Sequence, residues 1–337
     1  MKYTKLVFLA AGILLLGLII RNVNLDEIVF WISRLGLQGL IIVLVIYALA
    51  FLCDVISWQL AFRSLAMNLQ WLNRLFLVRL IGEAFNTVIP SASVGGEPLK
   101  AVILKNSYQI SYRESGASLI IARTVNMLSL ILFLGIGFIL LLSSPMFTRS
   151  YQITAGIGLT IITLGTILFY LVQRFQVISL TGTWLSTTRL GPRVEKLLHI
   201  IYDVDRHLLE FYASNHAKFI TALGLSWLNW LLGVVEIYVV MSMIGYPLGF
   251  MDCWIIETMA QLIRTGTFFI PASIGAQEGI FMLMGAIVTG NPSLGVAVSV
   301  IRRIRELIWV AMGLVILWGW FPDSRVKETV ANSGSNM

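Results

Sequence analysis

Long apolar runs separated by short polar stretches organise the chain, at 6–20, 40–62, 117–142, 153–172, 219–244 and 297–320. The last five each supply roughly 20 residues or more, which at 1.5 Å per residue matches a hydrocarbon core about 30 Å thick. The first follows Lys2 and Lys5 and ends at Ile20-Arg21-Asn22. A signal peptide would show a small-x-small cleavage site after such a run. None follows, so the run predicts an uncleaved first transmembrane helix. The pattern thus predicts six full spans.

Two further apolar stretches, 72–104 and 254–288, are broken in the middle by proline and glycine. The breaks read Ile89-Pro90-Ser91-Ala92-Ser93-Val94-Gly95-Gly96-Glu97-Pro98 and Ile270-Pro271-Ala272-Ser273-Ile274-Gly275-Ala276-Gln277-Glu278-Gly279. Arms of roughly 12–17 residues around such a tip are short for a crossing. They predict two re-entrant helical hairpins, each entering and leaving on one face, with a broken crossing helix as the competing arrangement. The fold class expected is an all-α polytopic membrane protein.

Composition agrees. Of 337 residues 58% are hydrophobic and only 12% charged, about half the charge of a soluble domain. An ordinary soluble enzyme, a disordered chain and a disulfide scaffold are excluded; Cys53 and Cys253 have neither disulfide nor metal spacing. The net charge of +7 then bears on orientation. Lys and Arg gather at the N-terminus, in 63–116, in 173–218 and in the C-terminal tail. The 21–39 stretch sets Arg21 and Arg34 against Asp26 and Glu27. The 143–152 stretch holds only Arg149, and 245–253 and 289–296 hold none. This alternation predicts cytoplasmic termini, with the first hairpin entering from the cytoplasm and the second from outside.

The two broken stretches belong to a longer repeat. Asp54 precedes Pro90 by 36 residues, Glu97 follows it by 7, and Arg123 follows Glu97 by 26. Glu236 precedes Pro271 by 35, Glu278 follows it by 7, and Arg303 follows Glu278 by 25. Charge is scarce in spans, so this register predicts a duplication, 38–142 and 218–320. Three full spans lie between the hairpins, and an odd number inverts the second copy. Inverted repeats meeting around discontinuous helices are a recurring transporter plan.

The repeat also supplies the candidate chemistry. Half-helices starting near Glu97-Pro98 and Gln277-Glu278 aim N–H groups inward, where they attract anions such as phosphate. Gly95, Gly96 and Gly275 at the tips allow close backbone approach. Glu97 and Glu278 are either first-turn acids favoured by the helix dipole or gating and proton-titrating groups. Arg123 and Arg303 lie roughly 9 Å inside their spans by helix rise. Each suits a phosphate bidentately, an ion pair with a hairpin glutamate, or snorkelling to the interface. Arg302 and Glu306 are spaced to pair with each other, while Arg302 and Arg305 share a helix face. This basic cluster on the outer side runs against the positive-inside rule, and an anionic ligand is one reason to keep it there. Asp54 and Glu236 lie deeper. They are proton-path candidates if unpaired, or hydrogen-bonded to a neighbouring helix.

Other site classes have no support. There is no phosphate-binding loop of the ATPase kind, no Gly-x-Ser-x-Gly and no His-Glu-x-x-His. The 173–217 stretch reads as a cytoplasmic linker. It carries an amphipathic helix with Val194, Leu197, Leu198, Ile201, Leu208 and Phe211 on one stripe. His199, Asp203 and His207 there have a metal-compatible spacing but read as a solvated face. No cofactor, metal or nucleic-acid partner is expected.

Asn86-Thr87-Val88-Ile89-Pro90 with Gly95-Gly96-Glu97-Pro98-Leu99-Lys100, and the Pro271–Gly279 motif, resemble the lysylphosphatidylglycerol synthase transmembrane-region, or flippase-like, family. The second motif, followed by Ser299-Val300-Ile301-Arg302-Arg303-Ile304-Arg305-Glu306-Leu307, is similar to its hopanoid-biosynthesis-associated branch. The resemblance covers nearly the whole chain. It implies a multi-pass protein of the bacterial inner membrane that moves lipids, as in the flippase half of the multiple peptide resistance factor. Lysyl transfer is not implied, because these residues hold no aminoacyl-transfer domain. The family often has Arg where Lys100 stands, so the charge is kept but the bidentate fork is not.

The expected function is therefore non-enzymatic transport across the inner membrane of an anionic or phosphate-bearing lipid, with isoprenoid and hopanoid types among the candidates. Lys100, Arg123, Arg302 and Arg303 would meet the head group. Glu97, Glu278, Asp54 and Glu236 would gate or couple protons, and Pro90, Gly95, Gly96, Pro271 and Gly275 would form the tips. The alternative is a non-catalytic membrane partner of a lipid-modifying or glycosyl-transferring enzyme; a homo-oligomer is also considered. An intramembrane enzyme using Glu97 or Glu278 as a base has no nucleophile or cofactor motif behind it.

Overall fold

A computed structural model describes residues 2–21, 23–88, 96–174, 211, 215–268 and 270–320. Among them the regular structure is helical: α1 Lys2–Arg21, α2 Leu25–Leu60, α3 Leu69–Val88, α4 Gly96–Tyr108, α5 Tyr112–Ser143, α6 Arg149–Arg174, α7 His216–Met243, α8 Phe250–Gly266, α9 Ala276–Thr289 and α10 Pro292–Trp320. A short 3-10 turn, Pro271–Ser273, lies between α8 and α9. Among the described residues four helices are long and apolar enough to cross a membrane: α2, α5, α6 over Arg149–Val172, and α7. The chain is a polytopic helical membrane protein.

Local chemistry sets the helix ends. The Asn24 side chain accepts from Asp26 N and Glu27 N and starts α2. That helix continues through most of the 21–39 stretch expected to be loop, because this cap and the acids behind it suit a first turn. It kinks at Gly36, whose φ of 61° is readily open to glycine. Ser111 caps α5 through Glu114 N. The first broken stretch also departs from expectation. Its leading arm, α3, has 20 residues rather than 12–17, because Asn68 Oδ1 accepts from Trp71 N at 2.9 Å and starts the helix before the apolar run.

Packing turns apolar side chains outward as well as inward. Ile153, Ile157, Ile161, Leu164 and Leu168 of α6 are exposed, as are Ile41, Val45 and Leu49 of α2. Such a surface is adapted to hydrocarbon. Where lipid is the solvent, helices associate through close packing and polar contacts. On α2 and α7, the Ser57 hydroxyl donates to Ala222 O at 3.1 Å and sits 3.1 Å from Ser226 Oγ.

The α2–α7 pair is central. α2 also packs on α3, α5 and α10, and α7 on α5, α8 and α10. α3 meets α4 and α10, α4 meets α5, α8 meets α5 and α9, and α9 meets α10. α6 packs on α5 and α8. Two apolar cores result. One takes Leu35 and Val43 from α2 and residues 130–141 from α5, with parts of α7 to α10. The other takes Val55 and Trp58 from α2 and Ile121 and Val125 from α5, with α3 and α4. Each long helix thus gives its two halves to different cores.

Connections gather at two ends. At one, Asn291 Nδ2 donates to Glu27 Oε2 at 3.2 Å, Tyr246 OH to Thr289 O at 3.0 Å, and Arg34 Nη1 to Ile244 O at 3.3 Å. At the other, Arg63 N and Ser64 N both donate to Glu114 Oε1, and Phe211, Asn215 and Lys218 lie against Leu60–Arg63. Phe211 is buried. The rest of the expected amphipathic stripe, and His199, Asp203 and His207, lie outside the described residues.

α1 packs on α9 and the 3-10 turn. Gly275 has φ +80°, and a Cβ there would stand 2.5 Å from the Gly12 carbonyl oxygen. Gly275→Leu should therefore lower stability by roughly 1–3 kcal/mol, read by thermal unfolding in detergent. A wild-type midpoint would show that α1 does not rest on this turn.

Candidate functional site

Between the two cores lies a polar cavity of about 320 Å³ with walls from α2, α3, α4, α5, α7, α8 and α10. Its charged groups reach one another across helices. Asp54 of α2 is ion-paired with Arg79 of α3. Lys100 of α4 lies 3.3 Å from Glu83 of α3 and 3.0 Å from Glu97 one turn away. Arg305 of α10 is paired with Glu236 of α7. Arg302 lies 2.7 Å from Glu257 of α8 and 3.7 Å from Glu236, and donates from Nη2 to Gly233 O at 3.0 Å. Gln261 donates to Glu257 Oε1 at 2.7 Å.

Burial grades across the site. Lys100, Glu236, Glu257, Arg302 and Arg305 are almost fully buried. Glu83, Glu97 and Arg264 are 41%, 38% and 45% exposed at the side chain. Arg123 and Asn126 of α5 line the same space, and Arg123 is exposed. Among the described residues Arg123 has no ion pair. These exposed groups mark the mouth.

Behind the wall a second network holds the α8–α9 turn. Arg303 Nε donates to Glu278 Oε1 at 2.7 Å and Nη1 to Glu306 Oε2 at 3.0 Å. Arg264 lies 3.3 Å from Glu306. Glu278 also accepts from Gly275 N at 2.7 Å, closing the first turn of α9. Ala272 and Ser273 hold φ near +50°, a costly conformation for residues with a Cβ, braced by Ser273 N donating to Ile270 O at 2.9 Å.

The sequence reading meets this geometry unevenly. Lys100, Arg123, Arg302, Asp54, Glu97 and Glu236 converge on one cavity. Arg303 and Glu278 do not line it; they pair with each other, as one of the expected readings had it. Arg302 does not pair with Glu306, whose carboxylate is drawn to Arg303 and Arg264 while Arg302 turns to α7 and α8. Asp54 and Glu236 are salt-bridged, so the unpaired state a proton path required of them is not present. The N–H groups at the tips are also engaged: Gly96 N donates to Asn86 Oδ1 at 2.6 Å and Gly275 N to Glu278. Pro90 and Gly95 lie outside the described residues, and Gly96 is buried. Pro271 opens the 3-10 turn.

Four participants escaped the sequence reading: Arg79, Glu83, Glu257 and Arg264. Their signal was available, since Arg79/Glu83 and Glu257/Arg264 are acid–base sets in otherwise apolar arms, where an ionisable group marks a site or a partner.

The family model for the lysylphosphatidylglycerol synthase TM region matches residues 5–314. The chain is 22% identical over 333 residues to a UPF0104 membrane protein of Methanothermobacter thermautotrophicus, covering 94% of this chain and 96% of that one. It is 20% identical to a UPF0104 membrane protein of Pyrococcus horikoshii, covering 89% and 92%. No solved structure matches. With a match across nearly its whole length, the chain belongs to the lysylphosphatidylglycerol synthase TM region family.

Proposed function

We propose that this protein is a non-enzymatic lipid transporter of the flippase kind, carrying an anionic or phosphate-bearing lipid across the plasma membrane. The head group would enter the polar cavity while the hydrocarbon tails stay in the bilayer. The observation that carries this reading is the cavity itself: a charged, partly open space walled by seven helices between two apolar cores. The Nε–H groups of Arg79, Arg302 and Arg305, all on its wall, are buried without an acceptor among the described residues, and phosphate oxygens would supply acceptors.

The reading includes six spans and two re-entrant hairpins, α3–α4 and α8–α9, in an inverted repeat of 38–142 and 218–320. Packing supports the repeat. Exchanging α2 with α7, α3 with α8, α4 with α9 and α5 with α10 carries each of their principal contacts onto another observed contact. Sidedness is supported by the two clusters of connections. Residues 24–34, 244–250 and 289–293 meet at one end, and 60–68, 111–114, 211 and 215–218 at the other, as the charge rule groups them. Both termini are taken as cytoplasmic.

The paired glutamates would be gates. Glu278–Arg303 is closed at 2.7 Å. Its counterpart, Glu97 and Arg123, is apart: Glu97 meets Lys100 instead. One gate shut and one open is one end state of an alternating cycle.

The test is protein-dependent translocation of acyl-labelled lipids in proteoliposomes. Movement of a phosphate-bearing lipid above empty vesicles is expected. No movement of any lipid, with an enzyme co-purifying in stoichiometric amount, would favour the partner role instead.

A further inference from the structure

The cavity's charge inventory bears on which head group it takes. The network that lines and backs it holds equal numbers of acidic and basic side chains, so it is formally neutral. A net charge brought into a neutral site finds no surplus opposite charge to compensate its loss of water. A ligand carrying both signs and no net charge offsets that cost where each pole finds its partner.

Both poles have partners. At the mouth, Arg123 has no ion pair among the described residues, while Arg79 and Lys100 serve three carboxylates, Asp54, Glu83 and Glu97. One cation and one surplus carboxylate therefore face the same opening. Deeper in, unmet hydrogen-bond capacity is of both kinds. The Nε–H groups of Arg79, Arg302 and Arg305 have no acceptor, and Glu236 Oε1 has no donor. Arg302 Nε and Glu236 Oε1 stand 3.7 Å apart, too far for a hydrogen bond to each other. A volume of about 320 Å³ is at the low end for ligand sites and suits one small head group rather than a bulky one.

We propose that the head group bound here is zwitterionic: a phosphate diester joined through a short linker to an ammonium, as in phosphoethanolamine. The phosphate takes Arg123 and the buried guanidinium donors; the ammonium takes Glu97 and Glu83. This assignment rests on the transport reading above and narrows it.

Two measurements on the whole protein test it. In proteoliposomes, acyl-labelled phosphatidylethanolamine should cross at least about tenfold faster than phosphatidylglycerol, a ratio that about 1.4 kcal/mol of discrimination provides. Glu97→Gln, at a half-exposed position, should bring the ratio toward one. In detergent, glycerophosphoethanolamine should raise the unfolding temperature at concentrations about tenfold below those glycerophosphoglycerol requires. Equal or faster transport of the anionic lipid, or an unchanged ratio in Glu97→Gln, overturns the assignment. Binding preference without transport of either lipid supports it and removes the transport reading. Neither preference nor transport overturns both.

Discussion

Replacing Glu236 by alanine should destabilise the protein by about 3–5 kcal/mol, the cost of stripping one partner from a buried ion pair. Glu236 is 2% exposed and holds Arg305 directly, with Arg302 at 3.7 Å. Its loss leaves Arg305, itself 4% exposed, without its main counter-ion in a low-dielectric interior. The penalty arises from the orphaned charge more than from the lost attraction. Glu236→Ala combined with Arg305→Met should therefore cost less than Glu236→Ala alone. Thermal unfolding in detergent reads both. A single variant within about 1 kcal/mol of wild type would mean that α7 and α10 are held by apolar packing and that the pair is incidental.

Arg123→Gln should behave in the opposite manner. Arg123 is exposed, has no ion pair among the described residues and lines the cavity mouth, so folding has little to lose. Transport does. A charge-assisted hydrogen bond to a phosphate contributes about 1.5–3 kcal/mol, equivalent to a fall of roughly 10- to 100-fold in rate at an unfolding temperature near wild type. The contrast with Glu236 is the useful part: one residue for stability, the other for function, both on the wall of one cavity. An Arg123→Gln protein that transports normally would take Arg123 out of the path.

The features most legible in the sequence were those encoded by spacing along one strand of text. Apolar runs of span length, two Pro/Gly breaks, and the recurrence of Asp54-Pro90-Glu97-Arg123 as Glu236-Pro271-Glu278-Arg303 need no knowledge of neighbours. The Glu278–Arg303 pair follows from that recurrence. What spacing could not specify was which helix face meets which helix. Arg302 and Glu306 have the separation of a helical ion pair, yet Glu306 has Arg303, Arg305 and Arg264 to choose from, and Arg302 has Glu257. Such competition is decided by packing. The same holds for Arg79, Glu83, Glu257 and Arg264, whose partners are distant in sequence or divided among several helices. The kink at Gly36 was hidden for another reason: its flanking residues suit a helix on both sides.

The contact of α1 with the α8–α9 turn has a consequence for how the chain is made. Gly12 leaves the ribosome well before the Gly275 that rests on it. At typical synthesis rates the interval is on the order of ten seconds or more. Through that time α1 lacks the turn it packs on. The α8–α9 turn is then received onto a helix already in place. A helix made early is thus the dock for a turn made late, so truncation or delay between the two would leave the α8–α9 turn without its brace.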